Sequence, residues 1–184
     1  MDLSAFSPIT RELLSPDRVF DLGPGHPNEK MRGRLSSLSV ENLFAPEQVR
    51  QPDFARACLA ALWLYHDFLD ESHALSQEFA SAEGSFWHGI MHRREPDYPN
   101  AAYWFCRVGH HAVFDALGPA AQALAATSAV TVAIPSSWNP FWFIDFCEGC
   151  AGKNQPGEDL ARLIQKREWE LLFDYCYRKV VGRE

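Results

Sequence analysis

From residue 52 onward, apolar residues recur mostly at three- and four-residue spacing, the period of helices with one buried face. The clearest stretch runs from Pro52 to Gln77. Pro52 suits a first turn and Asp53 puts negative charge where the helix dipole favours it. Ala57 to Tyr65 is apolar nearly all round, as a buried central helix would be. Ser81 to Gly84 interrupts the pattern. A second helix is expected from Ser85 to about Arg94, ended by Pro96, and a third from about Pro99-Asn100 to Val108, stopped by Gly109. A fourth covers Ala112 to Ala126, with Gly118-Pro119 kinking or dividing it. Asn139-Pro140 is an N-cap and first-turn pair that opens a helix through Phe146, closed by Gly149 and Gly152. The last, about Glu158 to Val181, sets Trp169, Leu172, Phe173, Cys176 and Val180 on one face.

The first fifty residues read differently. Ser4 to Leu14 suggests a short helix, and Ser39 to Phe44 another that stops before Pro46. Gly23-Pro24-Gly25-His26-Pro27 cannot join regular structure; it either covers a site or crosses the surface. Only Ala129 to Ile134 is β-like, and at that length it passes equally for a helix tail. The sum is a predominantly all-α chain, one multi-helix domain over residues 1–184, with residues 1–51 as an irregular segment packed on it.

Composition narrows the function classes. Hydrophobic residues make up 47% and charged residues 22% of the 184, near the globular average, so disorder is not expected. Six Trp and thirteen Phe fit either a core of large side chains or an aromatic-lined pocket. A net charge of −7 argues against a nucleic-acid partner, which needs clustered Lys and Arg. The densest basic pair, Arg93-Arg94, is followed at once by Glu95 and Asp97. The longest apolar stretch is far shorter than a membrane span, and no basic start leads into an apolar run. Five cysteines without a secretory signal point to a reduced, cytoplasmic setting. Oligomeric state is not readable.

Histidines carry the candidate chemistry. A continuous helix through residue 77 would put Leu59, Leu62, His66, Leu69 and His73 on one stripe, with Asp70 at its edge. The next helix carries His88 and His92 one turn apart, with Ser85 and Glu95 on the same face, while Phe86, Trp87, Ile90 and Met91 take the remaining arc. Two imidazoles so spaced suit a divalent metal ion completed from elsewhere. Zinc proteases share the spacing but place Glu after the first His; here that position is Gly89, so that reading is rejected. Arg93, Arg94, Tyr98 and Arg107 offer donors for an anion, although the arginines equally suit ion pairs with Glu95 and Asp97. His110 and His111 are adjacent and diverge, so at most one faces a shared site. Cys147-Glu148-Gly149-Cys150 is a lone C-x-x-C with no second pair for zinc and no βαβ context for redox work; reduced thiols are expected. Phosphate-loop, dinucleotide and serine-hydrolase motifs are missing.

The run Trp87-His88-Gly89-Ile90-Met91-His92-Arg93-Arg94-Glu95-Pro96-Asp97-Tyr98, with Asn100-Ala101 and Tyr103-Trp104-Phe105, resembles a segment of uncharacterised bacterial and fungal proteins. Leu62 to His73 belongs to the same pattern, so the resemblance spans Leu62 to about His111. It implies no activity and no catalytic residue, only that the two histidine-bearing helices come as a unit.

Two readings follow. In the first, a small enzyme uses a cluster in which His66 or His73 meets His88 and His92, with Asp70 or Glu95 completing a nitrogen and oxygen site. His88, His92, His66 and Glu95 would be catalytic. A divalent metal, if bound, would take His88, His92, His66, His73 and Asp70. Arg93, Arg94, Arg107, Tyr98 and Trp87 would hold a small anionic ligand. In the second, the cluster is a polar network fixing helix register, and a non-catalytic module binds a small molecule or a protein around Trp138, Phe141 and Trp142.

Overall fold

The computed structural model describes residues 1–15, 17–78 and 80–183. Helix fills 66% of the chain and no strand occurs among the described residues, so the class is all-α. A 3-10 turn at Leu3–Ala5 precedes α1 (Pro8–Leu13), α2 (Glu29–Ser36), α3 (Val40–Phe44), α4 (Pro52–Tyr65) and α5 (Leu69–Ser76). Then come α6 (Ala82–Arg94), α7 (Tyr98–Val108), α8 (Ala112–Ala126), α9 (Pro140–Cys150) and α10 (Pro156–Val181). No helix among the described residues is long and apolar enough to cross a membrane.

The expected Pro52–Gln77 helix is two helices. Its break lies at His66-Asp67-Phe68, where Asp67 takes φ +63°, a left-handed conformation that Asp tolerates better than most residues. Side chains from elsewhere hold it there. The Asp67 carboxylate accepts from Arg94 and from Arg18, each at 2.5 Å. Arg94 also donates to the Leu64 carbonyl at 2.9 Å, beside the Asp67 backbone amide, from which the same carbonyl accepts at 3.1 Å. The same guanidinium reaches the carbonyls of Gly23 and Pro24, both at 3.3 Å. The Gly23–Pro27 loop is thereby strapped over the break. Gly25 sits there at φ +71°, and a Cβ on it would stand 2.8 Å from the Asp67 carboxylate carbon. His66 fastens the other side: its Nε2 is 2.9 Å from the Leu13 carbonyl and its Nδ1 3.2 Å from the Asn28 amide. With Nε2–H donating, Nδ1 accepts.

The core forms where α4, α6 and α10 meet. Trp169 of α10 is buried against Trp87 and Phe173, and its indole N–H donates to the Ala61 carbonyl at 3.1 Å. Every residue of α6 from Gly84 to Arg94 is buried, so beyond its first two residues the helix presents no exposed side. At Gly89 the neighbouring helix comes so close that a Cβ would lie 2.8 Å from the Phe105 ring. Arg93 and Glu168 are both fully buried and form a direct ion pair, Gln165 accepts from Arg93 at 3.4 Å, and the guanidinium lies 4.5 Å from the Phe143 ring centroid.

Three further expectations change. Glu29–Ser36 is helical although its sequence is mostly polar; Arg32 ties it to Glu29 at 2.7 Å and to Glu71 of α5. Gly118-Pro119 does not divide α8: Pro119 faces solvent, and Gly118 lets the Trp138 backbone approach to 3.4 Å of where a Cβ would sit. Ala129 to Ile134 forms no strand. Val130, Val132 and Ile134 pack on the core individually, without a neighbouring strand to pair with.

Breaking a buried pair strands the surviving charge, which costs about 3–5 kcal/mol. Glu168→Leu should lose stability of that order in urea unfolding. The Glu168→Leu/Arg93→Leu double variant should recover most of it, and a double variant as unstable as the single one would contradict the ion-pair account.

Candidate metal centre

Ser81 caps α6 by accepting from the Gly84 amide at 3.1 Å, and the four-residue spacing then brings His88 and His92 together. Their rings stack with centroids 4.8 Å apart and an interplanar angle of 27°. The break at Asp67 redirects α5, and with it His73. That ring meets His88 at 4.6 Å and His92 at 5.3 Å, close to perpendicular to both. Each imidazole offers one nitrogen, and the three donor atoms lie within 4.8 Å of one another. His88 and His92 are buried and His73 is half-buried.

Outer contacts settle which nitrogens are free. Glu95, at the C-cap of α6, accepts from His92 Nδ1 at 3.0 Å, so Nε2 carries the lone pair. At His88 the Ser76 backbone hydrogen-bonds the ring. The buried Nδ1 is therefore the His88 nitrogen without a partner among the described residues. Burial pushes the His88 pKa down to about 3, helped by repulsion from His92 and His73. Burial lowers that of His92 as well, against the pull of Glu95. Both rings are neutral near pH 7, the form that binds a metal.

On one side, Trp104 of α7 stacks over His88, 3.9 Å between centroids and 17° from parallel. A cleft of about 600 Å³ shares Glu95 with the cluster but is lined by none of its three histidines; Asp67, Asp70, Glu71, Asp97 and Arg32 are among its other walls. Its charge is acidic, since Arg32 is already paired with Glu29 and Glu71.

Of the expected site residues, His73, His88, His92 and Glu95 come together. His66 does not join them. It is the C-cap of α4, held by Leu13 and Asn28, with its pKa pushed down to about 4 by burial. Asp70 is exposed and lines the cleft without being one of the three donors. Arg93 and Arg94 face inward to Glu168 and Asp67, away from any ligand. Trp87 is fully buried in the core. Tyr98 opens α7, partly buried, and Arg107 lies on the outer side of that helix, 5.5 Å from the Trp104 ring centroid. His111 caps α8 by accepting from the Val113 amide at 3.2 Å, while His110 is exposed. Cys147 and Cys150 are free thiols; burial raises Cys147 to about 12, and Cys150 donates to the Phe146 carbonyl. Trp104, which stacks on His88, is not among the expected site residues. Helical spacing within one segment does not reveal contacts made between segments.

The lowered histidines make a pH prediction with a definite sign. The unfolded chain binds protons at the ordinary 6.5, which His66 (about 4) and His88 (about 3) refuse when folded. Stability from the neutral rings is complete above the unfolded value and is lost as pH falls through the folded values. The urea midpoint should therefore drop steadily below pH 6.5. In the metal-free protein the His88 ring signal in NMR should show no inflection near 6.5; one there would contradict its burial.

No family model matches the chain, and neither a curated protein nor a solved structure matches it, so the site is read from its own geometry.

Proposed function

We propose that this protein is a metal-dependent enzyme whose centre is one divalent transition-metal ion held by His73, His88 and His92. The observation that carries this is the cluster of His73, His88 and His92, whose donor atoms lie within 4.8 Å of one another and in which His88 has a buried Nδ1 without a partner among the described residues. A buried polar atom without a partner costs about 1–3 kcal/mol, and a shared ion would remove that cost. Three imidazole nitrogens suit zinc, iron, copper or nickel. Three protein donors with one position left over is the pattern of catalytic rather than structural zinc sites. Glu95 on His92 supplies the kind of outer partner that orients such a ligand.

Donors of one tetrahedral ion stand roughly 3.3 Å apart for bonds of about 2.0–2.1 Å. The observed spread of up to 4.8 Å therefore closes by a modest shift, and His73, half-buried on the short α5, has the most freedom to make it. The ion would act as a Lewis acid and lower the pKa of a bound water towards about 7. That favours hydrolysis or hydration as the reaction class. A substrate approaching past Glu95 from the acidic cleft would be neutral or cationic. The anion expected from Arg93 and Arg94 has no support, because neither guanidinium is free to bind it.

A structural polar network is the second reading, favoured by the close Trp104–His88 stack. Titration calorimetry with Zn²⁺ and Co²⁺ on tag-free, chelator-treated protein separates the two. The metal reading expects one ion per chain and Co²⁺ visible bands of a low-coordinate site. His88→Ala and His92→Ala should each weaken binding by more than the roughly 10–100-fold that losing an outer-shell partner costs. A wild type that binds neither ion, or variants that bind as well as it does, would leave the network reading.

A further inference from the structure

His88 is stacked against two rings, Trp104 at 3.9 Å and 17° from parallel and His92 at 4.8 Å and 27°. The acceptor nitrogen of a neutral imidazole offers its lone pair in the ring plane. Rings packed face to face at 4.8 Å and 27° have planes that meet well beyond the roughly 2.0–2.1 Å reach of a metal–nitrogen bond. As they stand, His88 and His92 cannot both aim at one ion. His73, at 88° to His88, has no such conflict. A shift of His73 closes the donor distances but does not turn either stacked ring. His92 is fixed by Glu95 on Nδ1. His88, whose Nδ1 has no partner among the described residues, is the less constrained of the two and the ring that has to rotate. Rotation takes it out of parallel with Trp104.

We propose that Trp104 is a latch on the metal centre: its stack holds His88 in a metal-free orientation, and ion binding releases it. This rests on the metal reading above and concerns how that same site is regulated. The indole is placed for such a role, being half-buried and outside the hydrophobic core. Its other ring contacts among the described residues are Tyr103, edge-on at 5.4 Å, and the Arg107 guanidinium at 5.5 Å, both on its own helix. It can therefore tilt towards solvent without opening the core. Stack and ion compete for one ring, so the apparent affinity for the ion is reduced by the fraction of molecules in which His88 is latched. The close Trp104–His88 contact is then the resting state of the centre, and α7 is coupled to its occupancy.

The test compares Zn²⁺ titration calorimetry of wild type, Trp104→Leu and Trp104→Phe, with thermal midpoints of the metal-free proteins as the check on folding. Trp104→Leu removes the stacking face and should bind roughly two- to ten-fold more tightly, the range that one aromatic pair corresponds to. Trp104→Phe keeps a face and should stay closer to wild type. Equal or weaker binding by Trp104→Leu overturns the latch and makes Trp104 a support of the site. A second readout does not depend on affinity. In metal-free wild type the His88 ring protons lie over the indole face and should resonate upfield of their position in Trp104→Leu. Zn²⁺ should move them downfield, to where zinc-loaded Trp104→Leu shows them. Ring signals that stay shielded in the zinc-bound wild type also overturn the latch. In both cases wild-type binding leaves the histidine triad standing. Absence of binding by wild type overturns the triad and the latch together.

Discussion

One buried ion pair decides how the histidines meet. Asp67 reverses the chain at the end of α4 in a conformation that helix continuation would forbid, and the Arg94 guanidinium pays for that reversal with three kinds of contact at once. It neutralises the carboxylate, takes the Leu64 carbonyl and anchors the carbonyls of Gly23 and Pro24. Arg94 is also the last residue of α6, the helix that carries His88 and His92. The residue that ends one histidine-bearing helix thus builds the turn that aims the other. Fold and site share a single fastening, and neither half of the cluster is positioned independently of it.

The α6 pair was readable because both of its histidines lie on one short stretch of regular spacing, and the caps at Ser81 and Asn139 act locally. The third histidine was placed on the right helix face for the wrong reason. A continuous helix would have grouped His73 with His66, whereas the break separates them and delivers His73 alone. No glycine or proline announces that break; its cause sits on Arg94 and Arg18, 27 and 49 residues away in sequence. Arg93 follows the same rule. Its sequence neighbours Glu95 and Asp97 looked like partners, yet Glu168, 75 residues on, is the one it meets. The polar α2 was invisible for a related reason, since its support comes from ion pairing to α5 rather than from an apolar stripe.

Burial gives the cluster its electrical character. At His88 and His92 burial disfavours the protonated ring, and the two stacked rings repel a shared charge. At His66, where desolvation is the largest influence, both nitrogens are matched to fixed partners and the ring is a rivet. At His88 one nitrogen is left over. That difference, between a histidine whose hydrogen bonding is complete and one whose is not, separates two groups that composition and spacing treat alike.

The notch at Gly89 has a consequence for how such a centre can work. Phe105 occupies the space that any side chain there would need, so the position following His88 is closed to a glutamate on steric grounds alone. A proton acceptor for chemistry at this centre has to be recruited from a different element, with the first turn of α5 or the α6–α7 turn nearest to hand. The tight seam between α6 and α7 therefore bars this scaffold from drifting, by single substitutions along one helix, into the peptidase arrangement its histidine spacing superficially suggests.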